Sequence, residues 1–181
     1  VRDGERKLRV IDNFRANHVK AYAGAHDRVT NDGHSEVTEC ILRMKGLLRQ
    51  YGLCEDVVVG LEDYVGAFKT LAPVEEQRWM GHVLVFDPYQ RRWMCGELLT
   101  LPFGALGGVL AWWRVASAHK AIFRVLFEMP VFVYVDDTHQ VEPKALADEA
   151  KEIFREIIGL LGWCLGTQKS QPMSCKARSL G

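Results

Sequence analysis

The sequence predicts an α+β domain: a largely antiparallel sheet with helices packed on one face. Three observations carry the prediction. Short apolar runs at 57–61 and 131–135 are rich in β-formers and too brief for helices. Two stretches, 37–51 and 146–161, repeat apolar residues at spacings of three and four, and 105–128 is a continuous apolar stretch of helical length. Between 82 and 101, two β-rich runs flank the polar segment Asp87-Pro-Tyr-Gln-Arg-Arg, the pattern of a hairpin.

In chain order, Lys7-Leu-Arg-Val-Ile-Asp-Asn-Phe14 reads as a strand with basic residues at its start, followed by a polar loop holding Gly24, Asn31, Asp32 and Gly33. Val37, Cys40, Ile41, Met44, Leu47, Leu48 and Tyr51 then share one helical face, with Ser35 placed to cap its start and Gly52 its end. Val57–Leu61 is a buried-looking strand that leads into Asp63. After the hairpin comes the 105–128 helix, whose Trp112, Trp113, Ile122, Phe123 and Phe127 read as core, with Pro130 limiting it. Strand 131–135 follows and ends at Asp136 and Asp137. Pro143 opens an amphipathic helix to about Leu161, on whose wet side Asp148 with Lys151, and Glu152 with Arg155, are spaced to pair. Leu165–Gln171 reads as a last strand.

The 181 residues, 48% hydrophobic and 25% charged, suit a soluble globular protein with a sizeable core rather than a disordered tail. Formal net charge is zero, so placement says more than the total. Arg2, Arg6, Lys7, Arg9, Arg15, Lys20 and Arg28 outnumber the acids of the first 28 residues, and Lys169, Lys176 and Arg178 close the chain without one. Basic ends can grip phosphates or simply be solvated. The five scattered cysteines disfavour a disulfide framework or zinc site, read mostly as small core residues, and suit a reducing, intracellular compartment, cytoplasmic or nuclear. No apolar run reaches membrane-spanning length and no signal peptide is visible, so no membrane partner is expected. The six histidines show no metal spacing and read as surface or loop residues, and there is no Gly-Lys-Ser/Thr phosphate loop. The chain reads as a piece of a longer open reading frame.

The chemistry is expected at the acids. Phe132-Val-Tyr-Val-Asp-Asp137 is an apolar strand delivering two carboxylates to its tip, and Asp63 ends another strand. Hard divalent cations take oxygen ligands, and phosphoryl transfer commonly uses two metals about 3.5–4 Å apart. Asp63 and Asp136 are the candidate metal ligands. Asp137, next along an extended backbone, points elsewhere and reads as a supporting acid. Taken alone, an Asp-Asp pair after a strand is more often a turn or a helix cap.

Four segments in order resemble the motifs of a reverse transcriptase palm. Asp63-Tyr-Val-Gly-Ala-Phe68 resembles the first catalytic motif, Leu101-Pro-Phe-Gly104 the second, Tyr134-Val-Asp-Asp137 the third, and Leu161-Gly-Trp-Cys-Leu-Gly-Thr-Gln-Lys169 the fourth. Upstream, Lys7-Leu-Arg-Val-Ile-Asp-Asn-Phe-Arg15 is similar to the fingers strand that grips the triphosphate. The Trp-rich helix after Gly104 and the phrase Leu-Gly-Trp followed by Lys-Ser-Gln-Pro172 look closer to tyrosine-recombinase (DIRS-like) retrotransposons than to retroviruses. The resemblance implies partial fingers over 1–35, a palm over 36–181 and no thumb within the chain.

It also implies roles. Asp63 and Asp136 would hold two Mg²⁺, or Mn²⁺, with Asp137 in support. Lys7 and Arg9 would neutralise triphosphate oxygens, and backbone N–H groups around Tyr64, Val65 and Gly66 would meet the same group. Phe68 would lie under the incoming sugar and exclude a 2′-hydroxyl, Phe103 and Gly104 would face the nascent base pair, Tyr134 would approach the primer end, and Lys169 would protonate pyrophosphate. Each has a plainer reading: strand-edge charges, core packing for Phe68, a Pro-Phe-Gly turn, a buried strand tyrosine and a solvated lysine. The implied partners are dNTPs, a primed RNA or DNA template, and the thumb and RNase H regions of a retroelement polyprotein. Tyr64 is bulkier than the family pattern at its position. The rival expectation is an inactive or domesticated palm remnant that binds RNA or a partner protein.

Overall fold

The computed structural model describes residues 28–102, 105–167 and 170–176. Its elements are α1 (His34–Gln50), β1 (Val57–Asp63), β2 (His82–Asp87), β3 (Arg92–Glu97), α2 (Leu106–Leu126), β4 (Val131–Tyr134), β5 (Asp137–Pro143), α3 (Ala147–Leu160) and β6 (Gln171–Ser174). The architecture is α+β with antiparallel sheets. The chain divides into two compact units. Among the described residues, one contains 29–65 with those from 113 onward, and the other contains Arg28 with those of 66–112. The predicted strand at Lys7–Phe14 lies outside the described residues.

In the first unit the strand order is β4-β5-β1-β6. β5 is antiparallel to both β4 and β1, and β6 is antiparallel to β1. β1 and β4 therefore run the same way with β5 between them, as β5 and β6 do with β1 between them. Each pair is joined through a helix, which gives two interlocked split β-α-β units.

Side-chain alternation along β1 assigns the helices to faces. Val57 and Val59 point to the side where Val37, Cys40, Ile41, Met44 and Leu48 of α1 pack with Phe132 and Val141. Glu62 and Tyr64 point to the other side, where Glu62 meets Lys151 and Arg155 of α3 and Tyr64 meets His119 of α2. Phe123 of α2 stacks on Phe154 of α3 at 4.4 Å, both fully buried. Helices thus cover both faces of the sheet rather than one. The apolar stripe of α1, long in sequence from the strands it covers, carries no mark of which face it will choose.

Helix ends follow backbone chemistry. At the end of α1, Gly52 at φ +71 lets its N–H reach Arg49 O while the Leu53 N–H reaches Leu48 O. Gly162 at φ +84 repeats the arrangement after α3, with bonds to Gly159 O and, from Trp163, to Ile158 O. Both are Schellman closures, which need the left-handed conformation glycine adopts without strain. At the start of α1 the cap is Gly33 rather than Ser35. Ser35 lies inside the first turn and donates to Glu36, whose carboxylate also accepts the Gly33 N–H.

Other expectations are corrected. Asp137–Pro143, for which the sequence predicts no element, is a central strand. The last strand is Gln171–Ser174, and Leu165 makes only an isolated bridge to Tyr64. Lys151 and Arg155 turn inward to Glu62 rather than along the wet side of α3. Cys54, Cys95, Cys164 and Cys175 are exposed, so the thiols are not core residues apart from half-buried Cys40. His119 and His139 are buried. Phe127 is exposed, whereas Trp112 and Phe123 are core as expected. Among the described residues no helix is long and apolar enough to cross a membrane.

In the second unit β2 and β3 pair from His82↔Glu97 to Asp87↔Arg92. Asp87 shapes their turn by accepting the N–H groups of Tyr89 and Gln90 on one carboxylate oxygen, at 2.8 and 3.1 Å. Phe86 and Trp93 pack edge to face across the ribbon at 5.4 Å.

Candidate active site

β1 carries Asp63 to its end, and the β1–β5 register sets Asp63 directly opposite Asp137. Cross-strand partners share a face, so these two carboxylates start from one side of the sheet. β4 and β5 pair from Tyr134↔Asp137 outward, which leaves Val135 and Asp136 as a two-residue turn. Val135 sits at φ +55, an unusual value for a β-branched residue and the sign that primed hairpin turns require. Asp136 is therefore a turn residue, half-buried like Asp63, while Asp137 is buried on the strand. Strand alternation from Asp136 would turn Asp137 away from the site. Pairing with Asp63 places it instead on the first acid's face, and it is Asp136 to which strand alternation does not apply.

The segment after α3 closes on the same strand end. Val65 N–H donates to Cys164 O at 2.9 Å, Tyr64 bridges Leu165, and Gly166 N–H donates to Asp63 O at 2.7 Å. A Cβ added at Gly166 would stand 3.4 Å from both the carbonyl oxygen and Oδ2 of Asp63. Glycine permits this close approach. Residues 63–65, 134–137 and 164–166 therefore meet at one end of the sheet.

Tyr64 points away from the acids. Its ring is buried, stacks beside His119 at 5.7 Å, and its hydroxyl lies 3.0 Å from His119 Nδ1. Burial pushes the Tyr64 phenol up and holds the His119 imidazole down, so both stay neutral near pH 7. Trp163 meets His119 edge-on at 5.6 Å. The bulky residue that departs from the family pattern is thus a core anchor, and only the backbone of this segment borders the strand end. The Val65 N–H is already used by Cys164 O. Gly66, at φ +66, begins the turn Ala67–Thr70 in the second unit, where the half-buried Phe68 ring lies 6.3 Å from that of Trp112.

Tyr134 is exposed at the end of β4, opposite Asp137. Lys7, Arg9, Phe103, Gly104 and Lys169 lie outside the described residues. Sequence reasoning passed over Glu62 and Gly166. Glu62 looked like one more acid beside Asp63. Gly166 had a signal within the Leu-Gly-Thr phrase, but a small residue reveals nothing of what it stands against.

The donor set at the strand end is all carboxylate oxygen, the chemistry that suits Mg²⁺ or Mn²⁺. Among the described residues no three His, Cys, Asp or Glu side chains gather into a ready-made metal cage. Mg²⁺ commonly takes one or two carboxylates and completes its shell with water and substrate phosphate oxygens, so a pair of acids fits that mode. No protein-family model matches the chain, and no curated protein matches it.

Proposed function

We propose that the chain is the palm, with part of the fingers, of an RNA-directed DNA polymerase from a mobile retroelement. The observation that carries the reading is the pairing of Asp63 with Asp137 beside the turn that holds Asp136, with the fourth motif segment bonded to Asp63. In this reading Asp63 and Asp136 hold the metal ions, and Asp137 supports them from the buried side. The ions, when bound, would make the primer 3′-hydroxyl a better nucleophile and stabilise charge on departing pyrophosphate. Tyr134 stands at the exposed strand end to meet the primer terminus. Phe68 excludes a 2′-hydroxyl by bulk, Phe103 and Gly104 test the shape of the new base pair, and Lys7, Arg9 and Lys169 meet the phosphates. Template contacts are with backbone and shape, since a polymerase accepts every sequence.

The test is primer extension by the chain on RNA and DNA templates with Mg²⁺ or Mn²⁺. Extension with deoxynucleotides is expected, and it should vanish in Asp136→Asn. Extension undiminished in that variant would sink the site assignment. A folded chain that binds primed template without extending it would instead support the inactive remnant.

A further inference from the structure

Among the described residues β4 is an outer strand, and one of its edges pairs with no other strand of the sheet. The loop before α1 meets that edge. Asp32 N–H donates to Val133 O at 3.0 Å, and Asp32 Oδ2 accepts the Val133 N–H at 2.8 Å. One aspartate therefore satisfies both backbone groups of Val133, donating from its main chain and accepting on its side chain, as a strand residue would. Asn31 Oδ1 accepts the Val135 N–H at 3.4 Å, a long bond to the residue held at φ +55. Lys120 of α2 grips both Asp32 carboxylate oxygens at 3.0 and 3.2 Å, with both side chains mostly buried. Trp113 of α2 donates to Thr30 O at 3.0 Å and holds the same loop.

These contacts converge on the residues that lead into Asp136. A two-residue turn with a β-branched residue at positive φ keeps its shape only when its surroundings fix it. The Lys120 pair neutralises Asp32 and keeps its carboxylate occupied, so it serves as a bonding group for β4. We infer that Asp32, aided by Asn31 and Lys120, is a positioning residue that bonds the outer edge of β4 as a strand would and fixes the β4–β5 turn, and with it the direction in which Asp136 and Asp137 present their carboxylates. This rests on the reading of those acids as the metal site.

The test uses the ¹⁵N-labelled full chain and two readouts: amide hydrogen exchange, and Mn²⁺ affinity from the electron paramagnetic resonance signal of the free ion. In Asp32→Ala, exchange at Val133 and Val135 should quicken about tenfold or more while Val59 in β1 is unchanged. Mn²⁺ affinity should weaken about tenfold, as when other outer-shell partners are lost. Asp32→Asn keeps an oxygen for the Val133 N–H and should retain most of the protection and affinity. Unchanged Mn²⁺ affinity in Asp32→Ala, or a loss of protection spread evenly over the sheet, would overturn the inference. If Asp32→Ala does not fold, Asn31→Ala should speed exchange at Val135 alone and weaken Mn²⁺ about threefold, and no change in either would overturn it equally. A wild-type chain that binds no Mn²⁺ would remove the metal-site reading, while the exchange pattern would still decide whether Asp32 holds the turn.

Discussion

Replacing Glu62 by Gln tests how the sheet is tied to α3. Glu62 is 1% exposed, and its two oxygens receive Arg155 Nε at 3.1 Å, an Arg155 terminal nitrogen at 3.4 Å and Lys151 Nζ at 3.4 Å. Glutamine has the same shape but offers one acceptor, and turns an N–H₂ donor toward two cations. Removing one partner of a buried ion pair costs about 3–5 kcal/mol, because the other charge stays buried. Here Lys151 is only 18% exposed, and its remaining bond to Gln171 O at 2.7 Å leaves the charge unneutralised, so it falls under that rule, whereas Arg155, at 43%, can rehydrate and also donates to Ser170. The expected loss is therefore about 2–4 kcal/mol. At about 2–4 °C per kcal/mol for a chain of this size, the melting temperature should fall by about 4–16 °C. Thermal melts followed by circular dichroism, with urea titrations to check that the m-value is unchanged, measure it. Lys151→Met should cost less than Glu62→Gln, because Arg155 still satisfies the carboxylate. A loss in Glu62→Gln below about 0.5 kcal/mol, the scale of an exposed pair, would refute the reasoning.

Three further outcomes are expected. Phe68→Ala should relax discrimination between deoxy- and ribonucleotides by about 10- to 100-fold in primer extension, and unchanged discrimination would remove its steric role. Gly166→Ala should be tolerated at contact distance from Asp63. Gly166→Val adds methyl groups against that carboxylate and should cost about 1–3 kcal/mol by overpacking as well as Mn²⁺ affinity. Equal affinity in the two variants would refute the crowding. Burial pushes Glu142 up to about 7 from 4.5. Because the folded state keeps a proton that the unfolded chain releases across that window, stability falls as pH rises from about 4.5 through 7. Glu142→Gln should therefore melt higher than wild type at pH 8 and converge with it near pH 4, and a constant difference across that range would refute the account.

The elements legible in sequence are those whose apolar residues repeat with the period of the structure they form. α1 and the β2–β3 ribbon fall where their patterns place them, α3 forms but starts at Ala147 because Pro143 ends β5 rather than opening the helix, α2 ends before Pro130, and β1 and β4 match their β-branched runs. β5 did not show itself, because Asp-Thr-His-Gln-Val-Glu-Pro has a single large apolar residue, Val141, although the strand is buried along most of its length. A central strand covered on both faces usually reads as a hydrophobic run. This one places Thr138, Gln140 and Glu142 toward α2 and α3, and Gln140 and Glu142 carry side-chain atoms without hydrogen-bond partners. Burial of polar groups is what sequence rules count against a strand, so the hairpin's return was hidden. The inward turn of Lys151 and Arg155 was hidden for another reason: their partner lies in β1, far along the chain, while Asp148 and Glu152 stand one turn away. The division of the chain into units interleaves segments, which no shift of composition marks.

For the site, residue types and order pointed to Asp63 and the Asp136-Asp137 pair, but direction was not readable from them. Direction is set by neighbours that look structural. At the end of β1, Glu62 and Tyr64 face α3 and α2, and Asp63 faces the side that carries α1. Glu62 is held by Lys151 and Arg155, and Tyr64 by His119. A slip of β1 by one residue would move every side chain to the opposite face. Asp63 would then be driven toward α3, Glu62 would take its place opposite Asp137, and the Tyr64 ring would leave its buried place beside His119. The cost of burying the wrong groups falls on all of these residues together. The ion triad and the Tyr64–His119 contact thus act as a register lock, and the acid between them is aimed because its two neighbours cannot be.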